Sequence, residues 1–109
     1  MKYDYSREKM SNAVCILAVG LESLQQRIAD AYLYSVMHVK RDELPENALA
    51  TFDTMVKTMH AGIPVGDEGI TNAAARSLTD HEASEVANAI LFIADAVESA
   101  YNEDHCSRP

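Results

Sequence analysis

A chain of 109 residues, 48% hydrophobic and 24% charged, is long enough to bury one core and too apolar to stay unfolded. Its formal net charge of -8 repels nucleic-acid phosphates and anionic lipid. That argues against direct DNA, RNA or membrane-surface binding and leaves solubility as the simplest role of the acids.

The acids are unevenly placed. Residues 1–41 hold six Lys/Arg and four Asp/Glu, and residues 42–109 hold three and thirteen. Cys15 lies in an apolar run and Cys106 in a polar tail. They make a poor disulfide pair and point to a reduced, cytoplasmic chain. The charged start MKYDYSREKM and the short run AVCILAVGL, broken by Gly20, match neither a secretory signal nor a membrane span.

In chain order, Met10, Val14, Leu17, Leu21, Leu24, Ile28 and Ala31 recur at spacings of four and three. This seam predicts one long helix from about residue 6 to 39, in which Gly20 is tolerated or marks a kink. KRDELPEN breaks it, because Leu44 before Pro45 is biased away from helical dihedrals. A second helix follows from about Pro45 to His60, with Ala48, Leu49, Phe52, Met55, Val56 and Met59 as its stripe. Residues 62–71 contain three of the four glycines and read as a loop, followed by a short helical turn over 72–77.

Thr79-Asp80-His81-Glu82 has the spacing of a capping box and opens a third helix reaching about Glu103. Its seam is Ala83, Val86, Ile90, Ile93, Val97 and Ala100. Residues 1–5 and 104–109 are expected to be loose. The whole predicts a single all-α domain over 1–109, a three-helix antiparallel bundle with long first and last helices, completed by dimerisation.

Chemistry-bearing patterns are few. His81 and Glu85 share a helix face, but a zincin helix would need histidine where Glu85 stands. His38, His60, His81 and His105 are scattered, and no Glu-x-x-His pair supplies a di-iron bundle. Met37, Met55 and Met59 fall on apolar stripes and read as core filler. GIPVGDEG lacks the lysine and the preceding strand of a phosphate loop. Cys15 sits where an apolar setting disfavours a thiolate. Neither a catalytic constellation nor a cofactor or metal site is therefore expected. A gated pocket under the Gly62–Gly69 loop is the one opening left for ligand chemistry.

The strongest signal is apolar surplus. With Ala83 and Val86 in the seam, Leu91 and Phe92 of NAILFIADAV fall on the outer face beside Glu85, Asn88 and Asp95. Around the first helix, the stretch from Val14 to Leu21 is likewise apolar in nearly every direction. Leaving Ile16, Val19, Leu91 and Phe92 wet forgoes on the order of 6–12 kcal/mol, comparable to the stability of a small domain.

Pairing about a two-fold axis is the commonest cover for such a face. The sequence thus points to a homodimeric interaction or regulatory module with Ile16, Val19, Leu91 and Phe92 in the interface, acting on another protein. The alternative is an acidic mimic of nucleic acid, of the kind small phage inhibitors use, whose Glu85, Asp95 and Glu98 occupy a basic groove elsewhere.

Overall fold

A computed structural model describes residues 2–64, 66 and 68–106. Every regular element among them is helical. The described residues form five α-helices: α1 (Asp4–Val19), α2 (Leu24–Tyr34), α3 (Leu49–Met59), α4 (Gly69–Arg76) and α5 (Asp80–Cys106). Three single 3-10 turns, Val36–His38, Arg41–Glu43 and Glu46–Ala48, carry the chain from α2 to α3.

The expected three helices become five because the long N-terminal helix is cut at residues 20–23 and the short turn expected over 72–77 is an eight-residue helix, α4. Gly20 leaves the helix with an extended ψ of 144°. Ser23 then caps α2, its hydroxyl accepting from the Gln26 amide at 3.2 Å. Arg27 staples the break, donating from Nη1 to the Leu17 carbonyl at 2.7 Å and from Nε to the Glu22 carbonyl at 3.0 Å. The first bond satisfies a carbonyl that the end of α1 would otherwise leave without a partner, and the second ties down the linker. Leu21, which completes the seam on paper, is 99% exposed.

The second departure is at Tyr34. Ser35, buried, leaves helical geometry at φ -135°, and Val36 in a 3-10 turn and Val39 and Leu44 in extended backbone are buried there instead of on an α-helix. Met37, expected in the core, is about half exposed. Leu44 is extended, as its position before proline requires. Pro45 precedes a 3-10 turn instead of opening the helix, so α3 starts at Leu49.

The first and last helices run further than expected. α1 already begins at Asp4, with Tyr3 packed on the core, and α5 continues through Cys106. Residues 107–109 lie outside the described residues. At the glycine loop, residues 69–71 belong to α4, which Gly69 enters with a positive φ of 81°.

α5 is the spine. Its 27 residues span about 40 Å in a molecule 54 Å long and 25 × 23 Å across. The capping box forms as its sequence requires: the Glu82 amide donates to the Thr79 hydroxyl at 3.1 Å, and the Thr79 amide donates to the Glu82 carboxylate at 2.9 Å. Val86, Ile90, Ile93 and Val97 are buried along one side of the helix.

α1 lies antiparallel to this spine, with Arg7 against Glu98 at one end. At the other end Gln25, at the start of α2, donates to the Leu78 carbonyl and to Asp80. α2 packs against α1, α4 and α5, and α3 packs against α4 and the opposite flank of α5. Met10, Ile28, Met59, Ile90 and Ile93 meet in the centre with at most 1% of their surface exposed. Each such side chain contributes roughly 1.5–3 kcal/mol to folding.

Candidate interaction surfaces

The four apolar residues expected at an interface separate into three positions. Ile16 is partly buried and packs against the core, so the chain itself covers most of it. Val19, the last residue of α1, is 69% exposed. Leu91 and Phe92 are 46% and 48% exposed on the outer half of α5.

Helical spacing sets their directions. Leu91 shares its face with Glu98, seven residues on, and so turns toward α1. Phe92 shares its face with Glu85 and Ser99 and turns toward the α3 side. From the level of the Arg7–Glu98 contact, Leu91 stands roughly 10 Å along the bundle and Val19 roughly 18 Å. Cys15, expected in apolar surroundings, is exposed on the same stretch of α1. What stays wet in Val19, Leu91 and Phe92 amounts to about 2–5 kcal/mol, less than half of what the sequence implied.

The three acids are not equivalent. Glu98 accepts two bonds from Arg7, at 2.7 and 3.2 Å, and the Arg7 guanidinium also lies 4.2 Å from the centre of the Tyr101 ring. The bonds from Arg7 hold the Glu98 carboxyl below its ordinary range. Glu85 stands 3.3 Å from the His81 imidazole, both well exposed. Asp95 is exposed on the outer face. Glu98 is thus the one whose charge is answered by an arginine within the chain.

A feature the sequence reading missed lies on the opposite flank of α5. α3 packs against the first half of α5, and between them is a trough of about 460 Å³. Met55 and Val86 form its floor, with Leu78, Ala50 and Ala89 beside them. Thr51, Thr54 and Thr58 line one wall, and Glu82 and Glu85 the other. From Leu78 to Ala89 it extends roughly 16 Å, three helical turns. Its signal in the sequence is Ala50 beside threonines one turn apart on α3, together with Ala89 on α5: short side chains beside a stripe leave a gap between the helices.

Elsewhere, Tyr32 and His60 meet edge-on, with the Tyr32 hydroxyl 2.8 Å from His60 Nε2. Burial pushes the Tyr32 phenol upward in pKa. Between α2 and α4, Arg76 donates twice to Glu68 at 2.9 Å, beside Asn72, whose Oδ1 is buried without a hydrogen-bond partner. Among the described residues no three His, Cys, Asp or Glu side chains converge as metal ligands, and no helix is long and apolar enough to cross a membrane. No protein-family model matches the chain, and neither a curated protein nor a solved structure matches it.

Proposed function

We propose that the chain is a small acidic protein-interaction module that pairs with a second copy of itself and regulates another protein. The observation that carries this is the exposed apolar surface on α1 and α5: Val19, Leu91 and Phe92 hold 46–69% of their surface in water on rigid helices. Residues in that state favour a contact that removes them from water, and helices present the same face in every copy. Exposed Asp95 marks the polar rim. No catalytic step is assigned.

Sedimentation at micromolar concentration tests the pairing, with an expected mass twice the 12.0 kDa of one chain. A clean monomer sinks it. Phe92→Asp is expected to give a folded monomer, because Phe92 is only half buried and the core beneath it is separate. If that variant stays dimeric, the contact lies elsewhere.

A second reading has one observation behind it: from Ser77 to Ser107 the chain has seven acids and no Lys or Arg. Such a surface suits mimicry of nucleic acid toward a basic groove, with Glu85 and Asp95 the charges that no arginine of the chain answers. Capture of a partner that survives high salt and ignores added DNA counts against it.

A further inference from the structure

We infer that the trough between α3 and α5 is the docking site for a basic amphipathic helix of another protein. The inference rests on the proposal that the chain is an interaction module and names where the other protein sits. The trough is elongated and lies at the surface, about three helical turns long, a shape that takes one short helix along its length. Its floor of Met55 and Val86 accepts an apolar stripe, and Ala50 and Ala89 allow a second backbone to come close.

The occupant's charge follows from the walls. Glu82 and Glu85 line the trough and no Lys or Arg does, while Lys57 stands outside the lining. Glu82 is held below the ordinary carboxylate range by the Thr79 amide and hydroxyl, so its negative charge persists at neutral pH. A helix with an apolar stripe and Lys or Arg above the Glu82–Glu85 wall satisfies both features. A second copy of this chain is a poor occupant, because its own surface is predominantly acidic.

The probe is a fluorescein-labelled leucine–lysine amphipathic peptide of about fourteen residues, with a leucine–glutamate peptide of the same pattern beside it. Anisotropy is expected to show micromolar binding of the lysine peptide that weakens with salt, and none of the glutamate peptide. Two variants fill the trough from opposite walls: Ala89→Trp, and Thr54→Trp at an exposed position, so that one reports if the other misfolds. Each is expected to weaken binding about tenfold or more.

Glu85→Lys is expected to weaken it several-fold, whereas Glu103→Lys, an equal change of charge roughly 27 Å away along α5, should change it less than about twofold. Equal losses from the two lysine variants would reduce the effect to diffuse attraction and overturn the proposal. So would unchanged binding by both tryptophan variants. Sedimentation of the same variants keeps this result apart from the dimer. If they lose self-association instead of peptide binding, the trough is the contact between copies and the inference falls. If they stay dimeric and lose the peptide, it stands.

Discussion

Gly62 has no room for a side chain: a Cβ there would land on the Ala74 amide and the Ile70 carbonyl of α4. Both are backbone atoms, which cannot rotate aside. Gly62→Ala is therefore expected to force α4 away from the end of α3 and to cost about 1–3 kcal/mol, seen as a melting temperature lower by several degrees. Gly66, with a φ of 66° and open space where its Cβ would be, pays only the conformational penalty of a side chain in that region. Thr79→Ala removes half of the capping box and should cost about 1 kcal/mol in a denaturant titration.

The depressed carboxyls set a pH dependence. Glu82 and Glu98 have folded values below their ordinary one because the Thr79 cap and Arg7, respectively, bind the charged form. Their contribution is present above the unfolded value of about 4.3 and is lost as pH falls through the lower folded values. Melting temperature is thus expected to fall on acidification below that point, and Glu98→Gln to flatten part of the fall. A wild-type curve that stays level there would show that neither interaction contributes. The capping box was legible because both its partners lie within one turn of sequence. The Arg7–Glu98 pair was not, since 91 residues separate its members and nothing local marks them.

At the scale of helices, the lesson is in α1 and α2. Leu17, Leu21, Leu24 and Ile28 keep a spacing of four and three straight across the break, so periodicity alone runs the two helices together. The signal that separates them is chemical: Gly20, then Ser23 with Gln26 three residues on, the pattern of a helix start. Arg27 makes the break a fixed corner, with one guanidinium bonded to the end of α1 and to the linker. Arg27→Met keeps the aliphatic stem and removes both bonds. It is expected to cost about 1–3 kcal/mol, with the amides of residues 18–24 exchanging hydrogen faster than before. Unchanged exchange there would show that packing alone holds the corner. The start of α5 was legible because cap and seam agree, while its C-terminal end runs three residues beyond the expected Glu103. The trough beside it was invisible, since a gap between two helices depends on how they are set together.

At the scale of the molecule, an all-helical architecture follows from the sequence, while the number and order of helices come from its breaks. The surface charge predicts behaviour in solution. With a net charge of -8, copies repel one another at low ionic strength, so the proposed self-association through Leu91 and Phe92 should strengthen as salt is added. Dissociation on adding salt would point to a contact held by charge.

The antiparallel pairing of α1 with α5 also bears on biosynthesis. The first helix packs on the last one, and the contact between Arg7 and Glu98 closes a loop of almost the whole chain. During translation, α1 to α4 emerge before their spine exists. Met10 and Leu17 then have only α2 and its neighbours to shelter them, and α3 has no floor beneath Met55. The core is therefore expected to close only once α5 has left the ribosome, because every layer laid down before it packs on that helix.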